Sequence, residues 1–462
     1  MATKGLVIAG LSGGSGKSVV AVGIAAAYTG QGKKIVPFKK GPDYIDAGWL
    51  QLGARARCYN LDPYLMTWEA IRTSFTERSA GADFALIEGN RGLYDGVNAD
   101  GGYSTAELAV MLDLPVLLVV NCTKTTRTVA ALVMGAQLFD KRVQIAGVIL
   151  NQIATERQRL VITEAIEKYT GIPVLGIIPR LKTDIFPMRH LGMTPHQEYT
   201  DSSGALSTLS DLVLENVDLQ RIEETMARVE VVQPQTFSVV EPKEKKKKEK
   251  LRIGLLQDAA FQFYYSENLE ALENAGAELI SINALRDQAL PEIDGLYIGG
   301  GFPETSARDL AANVSFRESI KNSAEKGLPV YAECGGLIYL GRDILLDGVK
   351  YPLADVFPIE FGMSRKPQAH GYSIFKVSKE NPYYQVGAEI KGHEFRYSTI
   401  RSWQGSADEL AVTMLRGRGF QAEKDGLIFK NVFALYTHIH AGGTPEWAEN
   451  FIACCKRMKE KQ

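Results

Sequence analysis

The chain has 462 residues, 45% of them hydrophobic, with a formal charge of -2. That length exceeds one ordinary core and calls for two or three domains, and the balanced charge disfavours nucleic acid as a partner. Five cysteines (Cys58, Cys122, Cys334, Cys454, Cys455) form neither a C-x-x-C pair nor a zinc-spaced cluster, which argues against a disulfide framework or structural metal and suits a reducing compartment.

In chain order, MATKGLVIAG enters a strand-like segment at once, and no later apolar run approaches a membrane span, so a soluble cytoplasmic protein is expected. Short apolar runs at GLVIAG, KIVPFK, FALIEG, VLLVVN, IAGVILN and VLGIIP alternate with helical stretches such as 104–112 and 156–169. Strands buried on both faces and joined by helices predict an α/β fold with a parallel doubly wound sheet over residues 1–230.

The first strand opens into GLSGGSGKS. A usual phosphate loop, G-x-x-x-x-G-K-[ST], would place glycine at position 11, where this chain has Leu11; the register is instead Gly10, Gly14, Gly16, Lys17, Ser18. Glycines there let backbone N–H groups turn toward an anion, Lys17 adds a point charge, and Ser18 suits Mg²⁺. The bland alternative is a glycine-rich turn with a chance Gly-Lys-Ser. Downstream, FKKGPDYID brings Lys39, Lys40, Asp43 and Asp46 to a strand end, and ALIEGNRGLYDG places Glu88 at another. Each alone would be an ordinary surface charge. Together they offer Ser18, Asp43, Asp46 and Glu88 to Mg²⁺ and Lys17, Lys39 and Lys40 to ATP phosphates, the parts that phosphoryl transfer to a carboxylate needs.

Residues 231–250 read as a solvated linker ending in EPKEKKKKEK, with a basic patch for an acidic partner as the sharper reading. A second α/β unit follows over 251–462, starting with RIGLLQ, a helix near 266–275, ELISI, GLYIGGG, a helix, and PVYAECGG. In the last, Cys334 sits on a strand-to-helix elbow between small residues, a setting for an exposed nucleophile; a buried structural cysteine is the alternative. The glycines of YIGGGFPE (297–304) offer backbone donors for an oxyanion hole, and His438 and His440 stand near another strand tip as imidazole bases. The aromatic segments AAFQFYYS (259–266) and DVFPIEFGMSR (355–365) fit either a flat pocket or the core.

The loop register resembles that of dethiobiotin-synthetase-like P-loop proteins, which activate carboxylates with ATP. The Cys334 elbow with His438 resembles a class I glutamine amidotransferase domain, in which cysteine attacks glutamine's amide and histidine shuttles the proton. There the usual ending is His-x-Glu; here it is His438-Ile439-His440, so His440 is expected in place of the orienting carboxylate. Through KKGPDYID, NLDPY, EGNRGLYDG, GVILNQ, RHLGM, GGGFPE, CGGLIYL, GHEFRYS and YTHIHA, the whole chain resembles the cobyrinate a,c-diamide synthase family. The resemblance implies ATP- and glutamine-dependent amidation of tetrapyrrole acetate side chains through an acyl phosphate. It also places Asn151 near the adenine, turns the RHLGM and GHEFRYS segments toward the macrocycle or domain interface, and admits a homodimer.

Ala47-Gly48-Trp49-Leu50, EGN after Glu88, and Arg396 where the family carries histidine are departures. They resemble a branch associated with dissimilatory sulfite reductase, which makes siroheme an alternative acceptor. Arg396 then reads either as a partner for a macrocycle carboxylate or as a solvated rim charge. A cobyrate-synthase-like amidotransferase is a further alternative. A partitioning ATPase would carry an early loop lysine, where this chain has Gly13, and a scaffold with an inactive glutaminase would have lost Cys334 or His438.

Overall fold

The computed structural model describes residues 3–181, 188–189, 192–199, 201–229 and 250–461. The chain divides into two compact units, Met1–Ser238 and Val239–Gln462. The linker expected over 231–250 lies outside the described residues except for Lys250, as do His190 and Leu191 of RHLGM and every side chain of that segment.

In the first unit, β1 (Lys4–Gly10), β2 (Ile35–Lys40), β3 (Tyr59–Leu61), β4 (Phe84–Gly92), β5 (Val116–Asn121), β6 (Ile145–Ile153) and β7 (Val174–Pro179) form one sheet in the order β3-β2-β4-β1-β5-β6-β7. Every neighbour along that path is parallel, so all strands end at one edge. Crossovers are made by α1 (Lys17–Gly30), α2 (Ile45–Ala54), α3 (Trp68–Ser79), α4 (Thr105–Met111), α5 (Thr128–Phe139) and α6 (Glu156–Thr170). Side-chain oxygens of Thr67, Ser104 and Thr155 accept N–H groups from the first turns of α3, α4 and α6, fixing where those helices start. The six strands expected here are all present. The short β3 was not expected, because YNL is too brief for a visible apolar run.

On one face Leu6 and Ile8 pack with Val20, Ile24, Trp49 and Leu50, and with Leu209 and Val213 of α7 (Ser202–Asn216). Gly23 lets α7 approach α1 closely, since a Cβ there would lie 2.9 Å from the Leu209 carbonyl oxygen. On the other face Phe38 meets Phe75 of α3 at 5.2 Å.

The second unit is built on parallel strands in the order Ala277–Ile282, Leu251–Leu256, Gly295–Ile298, Val330–Glu333, Val432–Leu435, with Leu427–Phe429 antiparallel at the edge. Two further sheets, one of four strands and one of five, are drawn from strands between residues 343 and 439. The five-stranded one pairs Glu389–Arg396 with His438–Ile439 and sets His393 opposite His438. Phe261, Phe357, Ile359 and Phe361 belong to the core, so both aromatic segments serve packing. Among the described residues no helix is long and apolar enough to cross a membrane.

Trp447 is fully buried in an aromatic cluster with Tyr297 (5.2 Å), Tyr331 (5.3 Å) and Phe451. Trp447→Ala removes that filling, and a loss of about 3–5 kcal/mol of stability is expected in a denaturant titration.

Candidate active sites

At the sheet edge of the first unit, β1 turns through Gly14 (φ 75) and Gly16 (φ 90) into α1. Both angles lie in the left-handed region that favours glycine. Gly10 is close-packed, since a Cβ there would sit 2.7 Å from Ser15 Oγ, whereas Cβ atoms at Gly13 and Gly14 would meet nothing within 4 Å. Ser15 Oγ donates to the Ser12 carbonyl (2.6 Å) and accepts from Ser12 N–H (3.2 Å), which ties the loop to itself. Asn151 Nδ2 donates to the Ser15 carbonyl at 2.9 Å, and a Cβ on Gly16 would collide with that amide at 2.0 Å. Asn151 is therefore placed against the loop itself.

Beside the loop, register pairing brings Lys39 of β2 opposite Glu88 of β4. The Lys39 ammonium, fully buried, donates to Asp46 Oδ2 at 2.6 Å and to the Gly89 carbonyl at 3.2 Å, and lies 3.0 Å from Glu88 Oε1. Ser18 Oγ donates to Glu88 Oε1 (2.6 Å) and lies 3.2 Å from Asp46 Oδ2. So Lys39 bridges Asp46 and Glu88, and Ser18 meets the same two carboxylates. Asp43 stays one step back, its Oδ1 accepting the Asp46 N–H at 3.0 Å at the start of α2. Lys40, the next residue, does not join the cluster.

Burial raises the Glu88 carboxyl to about 7 against the pull of Lys39, and raises Asp43 to about 6 with Asp46 adding to the push. Asp46 moves the other way: burial opposes its charge, but the Lys39 ammonium holds it low. Lys39 is driven up by the carboxylates despite its burial. Glu88 Oε2 is buried with no hydrogen-bond partner among the described residues. A hydroxyl and two carboxylates with an unused oxygen form an oxygen donor set of the kind Mg²⁺ takes.

In the second unit Cys334 follows the strand Val330–Glu333 at φ 47, ψ -97, a left-handed non-glycine backbone at the head of the short helix Gly335–Tyr339. Its N–H donates to the Leu435 carbonyl at 2.8 Å, tying the elbow to the strand that leads to His438. Gly300 and Gly301 close in from the next strand. A Cβ on Gly300 would reach His438 Cε1 at 2.4 Å, and one on Gly335 would reach Gly301 N at 2.9 Å. The glycines expected to supply oxyanion donors thus lie against both the histidine and the elbow.

His438 is buried between Cys334 and Glu333, with Nδ1 3.3 Å from Glu333 Oε2. Burial works against its charge, but hydrogen bonding to Cys334 and Glu333 and their negative charges outweigh it and push the imidazole up to about 10. Glu333, fully buried, also accepts Tyr297 O–H (3.1 Å) and Ile439 N–H (3.2 Å). Here the expectation for His440 is corrected. The strand ends at Ile439, so His440 leaves the ladder at the head of the following turn, where its Nδ1 accepts Gly442 N–H at 3.0 Å and its Nε2 faces Glu267 at 3.6 Å. The carboxylate at His438 is Glu333, adjacent to the nucleophile in sequence. It was missed because the resemblance directs attention two residues past the histidine; the visible signal was an acidic residue ending an apolar strand. His393 was also missed: it stacks on His438 at 4.9 Å, and burial keeps its imidazole well below the usual range.

Arg396 is corrected as well. Its terminal nitrogens donate to the Ser398 and Gly419 carbonyls, both at 2.7 Å, and its guanidinium lies 3.9 Å over the Tyr436 ring. Half-buried and held in this way, it is not the freely solvated rim charge of the second reading.

Residues 6–191 match the CobQ/CobB/MinD/ParA nucleotide binding domain, and residues 252–445 the CobB/CobQ-like glutamine amidotransferase domain. The cobyrinate a,c-diamide synthase of Magnetococcus marinus is 42% identical over 439 residues, spanning 94% of this chain and 93% of that one. The enzyme of the same name from Archaeoglobus fulgidus is 38% identical over 459 residues, 99% and 98% of the two chains. With both domains matched and relatives aligned over nearly their full length, the chain belongs to the cobyrinate a,c-diamide synthase family.

Proposed function

We propose that this chain is a glutamine-hydrolysing ligase that uses ATP to convert acetate side-chain carboxylates of cobyrinate to amides. The observation that carries the reading is that one chain holds both a Cys334–His438–Glu333 cluster and a glycine loop beside a lysine-bridged carboxylate cluster. The residues before 230 would bind ATP, 231–250 would link, and 251–462 would supply ammonia. The five cysteines among the described residues are free thiols, in keeping with a reducing cytoplasm.

In the second unit the Cys334 sulfur attacks glutamine's amide carbon, and the C–N bond breaks as His438 gives the departing nitrogen its proton. Water then cleaves the thioester, returning a proton to His438 and releasing glutamate. Glu333 fixes the ring orientation of His438, the role a carboxylate plays beside a catalytic imidazole. Backbone amides about Gly300 and Gly301 suit the oxyanion.

In the first unit the loop amides and Lys17 would hold the triphosphate while the acceptor carboxylate takes the γ-phosphoryl group and ADP leaves. Ammonia then displaces phosphate from the acyl carbon. Ser18, Asp46 and Glu88 would hold Mg²⁺, which when bound neutralises phosphate charge. Lys39, already between those carboxylates, keeps them ordered and adds a cation for the transferring group.

The primary test is incubation of the purified protein with Mg-ATP, glutamine and either cobyrinate or siroheme, reading product mass. Conversion of cobyrinate is expected; conversion of siroheme alone would reassign the acceptor, and glutamine hydrolysis with neither converted would refute the acceptor class. Glu333→Gln should lower glutaminase kcat/KM on the order of 10²-fold, whereas His440→Gln should cost under about tenfold, since it does not touch His438. Removing the Glu333 charge also weakens the hold on the His438 proton, so the alkaline limb of the glutaminase pH profile should move to lower pH in Glu333→Gln. Glu88→Gln should lower ATP-dependent amidation on the order of 10²-fold in a coupled ADP assay.

A further inference from the structure

Lys40 ends β2 and is 5% exposed. Its neighbour Lys39 turns toward the loop, and the strand alternation sends Lys40 to the other face, the one on which Phe38 meets α3. Among the described residues its ammonium makes no hydrogen bond and no ion pair. The charges around it are Asp62, Lys39, Arg91 and Glu107, and burial pulls Lys40 down from its usual range. Both nearby carboxylates are tied to backbone: Asp62 Oδ1 accepts Tyr64 N–H (2.8 Å) and Leu65 N–H (3.2 Å), and Glu107 accepts Tyr103 N–H. Arg91, exposed, sits at φ 51, a strained backbone that recurs at binding sites. Tyr64 and Tyr103 meet edge to face at 5.5 Å alongside.

An ammonium that pairs with nothing among the described residues and stands beside a second cation is a ready partner for an anion. Two anions come to this sheet edge, the nucleotide phosphates and the acceptor. The function proposed above gives the phosphates to the loop and Lys17. We propose that Lys40, with Arg91 at its rim, seats a carboxylate of the acceptor and so sets which acids are activated. This assignment rests on the function proposed above and departs from the expectation that Lys40 binds the nucleotide.

The experiment is steady-state amidation by the full chain, with KM for cobyrinate and for ATP measured separately in wild type, Lys40→Gln, Lys40→Arg and Arg91→Gln. Loss of one charge-assisted contact should raise the cobyrinate KM of Lys40→Gln by about 10- to 100-fold. Its ATP KM should change by under about threefold, Lys40→Arg should recover most of the loss, and Arg91→Gln should show a smaller rise of the same kind. A rise in ATP KM with cobyrinate KM unchanged would make Lys40 a phosphate ligand and overturn the proposal; so would two unchanged constants. If Lys40→Gln gives no cooperative melt, the Lys40→Arg and Arg91→Gln constants decide by the same criterion. If wild type amidates neither cobyrinate nor siroheme, the function proposed above fails and this assignment falls with it. Wild-type amidation with an unshifted variant removes the Lys40 role alone.

Discussion

A fully buried ammonium at Lys39 has to be answered, and the nucleotide unit is arranged around that answer. Removing such a charge from water costs several kcal/mol, and only close, hydrogen-bonded partners offset it. Asp46 arrives from the start of α2 and Glu88 from the middle of β4, and Ser18, in the first turn of α1, bonds to those carboxylates in turn. One cation therefore ties α2 and β4 to β2, and through the two carboxylates α1 as well, at the edge where nucleotide is expected. The same arrangement leaves Glu88 easily protonated and Asp46 firmly ionised, so two carboxylates a few ångströms apart are unequal acids before anything binds.

The second unit solves a related problem differently. His438 is buried yet favours its charged form, because sulfur and carboxylate flank it. Glu333 in turn is kept acceptable by Tyr297 O–H and the Ile439 N–H. His393, stacked against His438 and held neutral by burial, caps the other side without adding charge. Polar atoms here sit where a hydrophobic core would otherwise close, so each needs its partner.

How much of this was legible from sequence follows from how local each signal is. The six long strands of the first unit, the glycine loop and the Cys334 elbow are written in contiguous residues, and the sequence reading found them. The coming together of Ser18, Lys39, Asp46 and Glu88 was legible as a set, because each follows an apolar run or opens a helix, although β4 continues past Glu88 to Gly92. What was missed depends on distant pairing. Glu333 reaches His438 across 105 residues, and His393 meets His438 only through an antiparallel ladder whose strands gave no clear period. The anchoring of Arg396 was not legible, because a guanidinium bound to two carbonyls and a ring looks, in sequence, like any other charged residue near a motif. Lys39 and Lys40 looked equivalent side by side, and strand alternation separates them.

Cys334 and His438 are reached from adjacent strands, Glu333 pairing with Leu435 one residue before the nucleophile and three before the base. The gap between thiol and imidazole is thus measured by the sheet's own spacing, and the Cys334 N–H to Leu435 carbonyl bond extends that ladder by one rung. A ruler of backbone is indifferent to side-chain drift. A single-residue slip between these two strands would separate the pair, whatever the surrounding side chains did.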